Sequence, residues 1–213
     1  MKRVLTVILF LVLALGVINT KALKSDIVIF IDPGHGGYDG GAYIDSIKEK
    51  DITSALASHL GFFLENAGYK VLYTRNKDDD LSESPYSKKS DIFNRVKLIN
   101  ESDCSFYISL HVNMFTQEKY RGAQVFFSDR HPLNESIAKD IQESLIEGLQ
   151  NTNRVYKKIE GIYILDNVNK PGCLVEAGFL SNEIERKLLL DDGYLNLVSY
   201  YIYFGILNFI NRL

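Results

Sequence analysis

Apolar runs and segments with helical spacing alternate along most of this chain. Residues 27–31 form a continuous β-branched and aromatic run, which is typical of a strand buried on both faces. In residues 51–67 apolar positions recur every three or four residues up to Gly68, which predicts a helix with a glycine just past its end. The same patterns predict strands at 69–74, 105–110, 122–128, 162–165 and 172–176, and helices at 91–99, 134–149, 183–190 and 194–210.

This order of elements predicts an α/β fold with a central, mostly parallel sheet flanked by helices. A chain of 213 residues is long enough for a single domain with a substantial core. The polar stretch 75–89, which contains the acidic run Asp78-Asp79-Asp80, is expected to be a loop. In sheets of this kind, functional sites lie beyond the carboxyl ends of the strands.

The first 23 residues differ from the rest in composition. Met1-Lys2-Arg3 precedes an apolar stretch of 15 residues, which is about 22 Å long as a helix, against roughly 30 Å for a bilayer core. That length suits a signal peptide, and Lys21 near the expected cleavage position leaves a retained membrane anchor open as an alternative. We therefore expect an exported protein, with residues 1–23 as signal peptide or N-terminal membrane anchor and residues 24–213 as the folded domain.

The charge balance bears on binding partners, and the two cysteines bear on disulfide formation. Without residues 1–23 the chain has 21 basic and 27 acidic residues, a net charge of −6. Because nucleic-acid phosphates call for a basic face, a nucleic-acid partner is not expected. Cys104 and Cys173 each precede an apolar run; they could pair outside the cytoplasm, and they could equally be buried thiols.

Two of the four histidines occupy positions that suit a metal site. His35 lies in a glycine-rich stretch after the first predicted strand, and His111 directly follows the third. His59 is in the middle of a predicted helix, which favours a helix-surface position, and His131 precedes Pro132 at a helix start, which favours a cap or loop role. A catalytic zinc commonly takes three ligands from His, Asp or Glu, so His35, His111 and one acidic residue would satisfy it.

Two glutamates are candidates for the same chemistry. Glu49 lies at the start of the first predicted helix, where an acid also interacts favourably with the helix dipole. Glu176 ends an apolar strand and precedes Ala177-Gly178-Phe179, so poor solvation is expected to raise its pKa. A general base that works near neutral pH requires such a shift.

At these positions the chain resembles a known family, the zinc-dependent N-acetylmuramoyl-L-alanine amidases of the amidase-3 type. The resemblance extends over about residues 26–212 and rests on several motifs together, because the short His-Gly-Gly piece alone is unspecific. The motifs are Asp32-Pro33-Gly34-His35-Gly36-Gly37, Glu49-Lys50-Asp51, Thr74-Arg75, Arg95-Val96, Ser109-Leu110-His111-Val112-Asn113, Gly122-Ala123-Gln124-Val125-Phe126-Phe127 and Leu174-Val175-Glu176-Ala177-Gly178-Phe179-Leu180-Ser181-Asn182.

The resemblance implies a sheet of about six strands in a single amidase domain at 24–213. It also implies that His35, Glu49 and His111 bind Zn²⁺ and that Glu176 is the catalytic base. The expected reaction is hydrolysis of the peptidoglycan amide that joins N-acetylmuramic acid to L-alanine of the stem peptide. Arg75, Asn113 and Asn182 are expected to contact the stem peptide or to orient the ligands.

Within the family, the chain is similar to the sporulation-specific cortex amidases of endospore formers, whose action leads to muramic δ-lactam. This similarity implies a place in the cell wall or forespore envelope. Two of the expected zinc ligands come from a loop and a helix start rather than from one rigid element, which predicts modest zinc affinity. We therefore expect control by timing of expression, by membrane tethering, or by an accessory activator protein that stabilises the metal-bound form. Two other classes remain open from the sequence. One is a different exported zinc hydrolase of the wall, a carboxypeptidase or deacetylase, and the other is a non-catalytic wall-binding activator.

Overall fold

The computed structural model describes residues 26–83 and 85–213, so the prediction of a signal peptide or anchor at 1–23 falls outside the described residues. A six-stranded sheet runs through the centre of the domain, and a two-stranded hairpin lies beside it. The sheet contains β1 (Val28–Pro33), β4 (Lys70–Tyr73), β5 (Phe106–Asn113), β6 (Gln124–Phe127), β7 (Lys157–Lys158) and β8 (Gly172–Phe179), and the hairpin contains β2 (Tyr43–Ile44) and β3 (Ile47–Lys48). The helices are α1 (Glu49–Asn66), α2 (Lys88–Glu101), α3 (Asn134–Leu149), α4 (Tyr163–Asn167), α5 (Glu183–Leu189) and α6 (Asp192–Ile210).

The topology confirms the predicted fold class. The strand order is β4-β1-β5-β8-β6-β7, and the first four of these strands are parallel to one another. Strand β6 is antiparallel to β8, and β7 is parallel to β6. The carboxyl ends of β1, β5 and β8 therefore meet the amino end of β6 at one edge of the sheet.

Helices cover both faces of the sheet over two separate apolar clusters. The larger cluster joins alternate strand residues such as Leu110 and Val112 to α1, α3 and α6. The smaller cluster joins Tyr107 and Leu174 to α2 and α4. Because side chains alternate along a strand, His111 points to the same face as α2 and α4.

The prediction of a strand at 162–165 is wrong, because Ile162 is the N-cap of the short helix α4 and the next three residues form its first turn. The amide of Asp166 donates to the carbonyl of Ile162, and that of Val168 donates to the carbonyl of Ile164. Ile164 and Leu165 are buried against the sheet in the smaller cluster. A run of four apolar residues fits a buried helical turn as well as a buried strand, so its pattern does not separate the two.

Other differences concern lengths and small elements. Strands β5 and β8 continue to Asn113 and Phe179, so His111 and Glu176 lie within strands rather than at or just past their ends. The hairpin of β2 and β3 and the two-residue β7 were not predicted. Cys104 and Cys173 are buried free thiols, in agreement with the second of the two alternatives. Across 26–83 and 85–213, none of the helices combines the length and apolar character needed to cross a membrane.

Candidate metal centre and active site

The loop after β1 brings His35 to the carboxyl edge of the sheet in a constrained backbone conformation. The amide of Gly34 donates to the carbonyl of Leu110 at 2.9 Å, which continues the pairing of β1 with β5. His35 has φ of +62°, a left-handed value that is uncommon for a residue with a side chain. Its Nδ1 lies 2.8 Å from Oδ2 of Asp39, which fixes the ring and directs Nε2 toward Glu49 at 3.1 Å.

Glu49, the first residue of α1, lies between the two histidines and is buried. Its Oε1 accepts from the amide of Val112 at 2.9 Å and lies 3.0 Å from Nδ1 of His111, and its Oε2 accepts from the amide of Ala42 at 2.8 Å. Burial alone would raise the pKa of Glu49, but the hydrogen bonds with His111 and His35 outweigh it and lower the pKa. The carboxylate is therefore held ionised.

These three side chains form a group that can hold a metal ion. One ligand atom from each of His35, Glu49 and His111 lies within 4.8 Å of the others. Two imidazole nitrogens and a carboxylate oxygen are a donor set that catalytic zinc sites use. Asp39 behind His35 corresponds to the carboxylate that commonly orients a metal-bound histidine. The donor chemistry of the cluster thus fits Zn²⁺.

Glu176 lies beside this cluster in a polar row across three strands. In the register of the sheet it is paired with His111 on β5 and with Gln124 on β6, so the three side chains are on the same face. Its Oε2 is buried and has no hydrogen-bond partner in the described part of the chain. Burial raises the pKa of Glu176 to about 7, opposed by His111 and increased by Glu49. A carboxyl group with this pKa can accept and return a proton near neutral pH.

Arg75, predicted to contact substrate or orient ligands, is buried and has its donors directed into the protein. Its Nη2 donates to the carbonyls of Gly34 at 3.0 Å and Lys50 at 3.1 Å, and its Nε donates to the carbonyl of Pro33 at 3.2 Å. The guanidinium thus connects the loop of His35 to the first turn of α1. These are the contacts of a residue that orients the loop carrying His35, rather than of one that faces a substrate.

Arg95 supports the same loop from α2, a role that sequence reasoning missed although Arg95 and Asp32 both stand in the motifs. It forms ion pairs with Asp32 at 2.9 Å and Asp91 at 2.8 Å, and its Nη1 donates to the carbonyl of Pro33 at 2.7 Å. Burial alone would raise the pKa of Asp32, but Arg95 and hydrogen bonds from Ser109 and Thr74 lower it. In the sequence, the ion pair of Arg95 with Asp91 is indicated by their i,i+4 spacing in a predicted helix, whereas no local spacing indicates its contacts with the loop of His35.

The structure gives the other two substrate candidates different surroundings. Asn182 is the N-cap of α5, accepting from the amides of Ile184 and Glu185, and its Nδ2 donates to the carbonyl of Glu118 at 2.7 Å. Asn113 is the last residue of β5, two positions after His111, and its carbonyl accepts from the amide of Leu180. Asn113 thus remains close in the chain to the metal cluster, whereas the amide group of Asn182 holds local structure.

The remaining histidines lie apart from the cluster. Nε2 of His59 is 2.8 Å from Asp192, and its Nδ1 is 3.2 Å from Asn196, so it connects α1 to α6. Nδ1 of His131 accepts from the amide of Leu133 just before α3, which confirms the cap or loop role. The structure therefore brings together only the two histidines that the sequence singled out, within the described residues.

Three side chains that can hold a metal ion, beside a buried carboxyl group at the carboxyl edge of an α/β sheet, form the kind of site that hydrolases use. Residues 29–208 match the family model described as N-acetylmuramoyl-L-alanine amidase (Amidase_3), and the chain belongs to this family. It is a peptidoglycan amidase, which confirms the resemblance found in its motifs.

Individual relatives and solved structures agree with this family assignment. The chain is 44% identical over 187 residues to the germination-specific N-acetylmuramoyl-L-alanine amidase of Bacillus subtilis (strain 168), covering 85% of this chain and 79% of that protein. Among solved structures it is similar to the CwlD amidase of Clostridioides difficile in complex with the GerS lipoprotein, with 35% identity, a TM-score of 0.84, and coverage of 88% of this chain and 100% of that one. The amidase AmiC2 of Nostoc punctiforme shares the fold, at 24% identity and a TM-score of 0.78, with 89% and 99% of the two chains covered.

Proposed function

We propose that this amidase hydrolyses the bond between N-acetylmuramic acid and L-alanine with a zinc ion held by His35, Glu49 and His111 and with Glu176 as the base. The observation that carries this proposal is the buried Oε2 of Glu176, which has no hydrogen-bond partner among residues 26–83 and 85–213 and belongs to the strand next to that of His111. A buried carboxylate oxygen with no partner costs stability, so its presence beside three metal-ligand side chains indicates a functional role.

Each residue has a distinct part in this mechanism. Bound zinc would act as a Lewis acid that acidifies water and polarises the scissile carbonyl. Glu176 takes one proton from the attacking water as the new carbon–oxygen bond forms. It then gives that proton to the nitrogen of L-alanine as the carbon–nitrogen bond breaks, so the peptide leaves as a neutral amine and the lactyl group keeps the other water proton as a carboxylic acid, which ionises in solution. Asp39 keeps Nε2 of His35 directed toward the cluster throughout.

We also propose a role in the spore cortex, where the amidase step contributes to formation of muramic δ-lactam. The germination-specific activity named for the Bacillus subtilis relative supports this role, as does the similarity to CwlD. A cortex substrate would require export, and residues 1–23 would provide a signal peptide or a membrane tether. The site of action would then be the cell wall or forespore envelope.

Product analysis tests the reaction directly. Purified protein with added zinc, incubated with isolated peptidoglycan, should release stem peptides that begin with L-alanine, detected by mass spectrometry. Treatment with a chelator should abolish this release, and zinc should restore it, with metal content measured in parallel. Release of acetate or of D-alanine instead would contradict the amidase chemistry, and activity that persists in metal-free protein would contradict the zinc requirement.

An accessory protein that stabilises the zinc-bound form is the proposed means of control. The complex of CwlD with a lipoprotein supports this proposal. Two of the three proposed ligand residues, His35 and Glu49, lie in a loop and at a helix start rather than within one rigid element. Their positions depend on the contacts that Asp39, Arg75 and Arg95 make with the loop, so a partner that strengthens these contacts would raise zinc affinity. By linkage, a partner that favours the zinc state must bind more tightly when zinc is present. Residues 24–213 assayed alone with stoichiometric zinc should therefore show low activity that an excess of zinc restores, because saturating zinc replaces the effect of the partner. Full activity at stoichiometric zinc and sub-nanomolar zinc affinity without a partner would contradict the proposal.

A further inference from the structure

The polar row across the sheet continues beyond Glu176 to an arginine. Gln124 on β6 is the register partner of Glu176, and its Oε1 accepts from Nη1 of Arg154 at 2.8 Å. Gln124 is itself fixed, because its Nε2 donates to the carbonyl of Val155 at 2.9 Å. The guanidinium therefore lies next in line after His111, Glu176 and Gln124.

Three contacts hold the guanidinium of Arg154 in one orientation. Besides the bond to Gln124, its Nε donates to the carbonyl of Arg121 at 2.7 Å. Its plane lies over the ring of Phe179, with the central carbon 4.7 Å from the ring centroid. Phe179 is on β8, three residues after Glu176, so the base and the arginine are positioned by the same strand.

Within the part of the chain that the structure describes, Arg154 forms no ion pair, and its charge acts on the carboxylate of Glu185 only at longer range. Glu185 is the nearby acid, but its two oxygens accept from the amides of Gly122 and Phe179, both at 2.8 Å. Arg95, by contrast, has two carboxylate partners. The two contacts at Nη1 and Nε leave Nη2 of Arg154 without a hydrogen-bond partner among the described residues.

We propose that Arg154 binds a carboxylate on the peptide side of the scissile amide, an inference that rests on the proposed function. Gln124 is two strand spacings from His111, which corresponds to about 10 Å. Two residues of extended peptide reach about 7 Å, so a carboxylate one residue beyond L-alanine falls near the arginine when the amide is at the metal. A preorganised guanidinium is the side chain best suited to recognise a carboxylate with two parallel hydrogen bonds.

The experiment compares two N-acetylmuramoyl-peptides that differ only in this carboxylate, free in one and converted to an amide in the other. Zinc-loaded wild-type protein is assayed on both, together with Arg154→Gln and Arg154→Lys. The matched control is Arg130→Gln. Arg130 is an exposed arginine past the carboxyl end of β6, whereas Gln124 is at its amino end, and its guanidinium contacts Asn169. Unfolding transitions of all variants establish that they are folded.

Wild-type protein should prefer the free carboxylate by about 10- to 100-fold in kcat/KM, the loss expected for one charge-assisted hydrogen-bonded contact. Because the contact is present in both the bound substrate and the transition state, the difference should lie in KM. Arg154→Gln should remove the preference by raising KM for the free carboxylate alone, Arg154→Lys should retain part of it, and the control should retain all of it.

Two results would overturn the inference. Equal cleavage of both compounds by wild-type protein, or an undiminished preference in folded Arg154→Gln and Arg154→Lys, removes Arg154 from substrate recognition while leaving the amidase function in place. Cleavage of neither compound by zinc-loaded wild-type protein overturns the proposed function itself. The comparison on wild-type protein needs no variant, so a failure of Arg154→Gln to fold does not prevent a decision.

Discussion

Replacing Glu176 with alanine is expected to leave the metal in place and reduce hydrolysis by about 10²- to 10⁴-fold, the contribution of a positioned general base. The side chain lies on β8 next to His111 on β5, so its removal takes away the proposed proton acceptor and none of the three proposed ligands. Its Oε2 is buried and unpartnered, so the folded state should not lose stability with it. The measurements are zinc content, kcat on a muramoyl-peptide, and the unfolding midpoint.

The matched variant is Glu49→Ala, which should do the reverse and weaken zinc binding first. Glu49 contacts both histidines, at 3.0 and 3.1 Å, so its loss also releases their rings. If Glu176→Ala instead emptied the site while Glu49→Ala kept its zinc, the assignment of ligand and base would be exchanged.

In wild-type protein the pKa of Glu176 predicts that activity falls as pH is lowered through about 7, because the base becomes protonated. A bound cation would move this limb to lower pH.

A single methyl group added at Gly34 is expected to have the second largest effect. A Cβ at this position would lie 2.3 Å from Cε1 and 2.6 Å from both ring nitrogens of His111, so the imidazole would have to move out of the cluster. We expect Gly34→Ala to lower zinc affinity by at least the 10- to 100-fold that loss of an orienting partner costs, roughly. Overpacking should also cost about 1–3 kcal/mol in the free energy of unfolding.

Gly40→Ala in the same loop is the control. A Cβ at Gly40 would meet the side chain of Lys48 at 3.6 Å, which is ordinary van der Waals contact. Zinc titration, kcat and thermal unfolding of the two variants should therefore differ, with Gly40→Ala close to wild type. Equal zinc affinity in folded Gly34→Ala and wild-type protein would show that His111 does not need its present position to bind the metal.

Much of the fold was predictable because local pattern and tertiary position agree. The buried run at 27–31 and the helical spacing of α3 mark elements whose apolar faces pack on the sheet, and α3 begins and ends where predicted. The pattern failed at 162–165, because four apolar residues fit a buried strand or a buried helical turn equally well, and packing against the sheet selects the helix. It also missed β2, β3 and β7, which are too short for any period to appear.

The candidate site shows the same division between what is local and what is not. His35, His111 and Glu176 could be selected because each stands where an apolar run ends or continues into polar sequence. Arg75 was predicted to contact substrate or to orient ligands, but its particular partners, which include the carbonyls of Gly34 and Lys50, lie in two other segments and could not be read from the sequence. The place of Arg154 depends on a register between β6 and β8 that sequence spacing does not contain.

With Glu176 as the proposed base, the row formed by His111, Glu176 and Gln124 would make catalysis depend on chain length as well as on residue identity. Successive residues of a strand point to opposite faces, and adjacent strands are joined residue by residue. Loss or gain of one residue between Gly172 and Glu176 would turn the carboxylate into the apolar layer beneath α3 and present Val175 or Ala177 to the substrate instead. Neighbouring side chains in this strand can therefore drift among similar sizes over evolution, while its length is held constant.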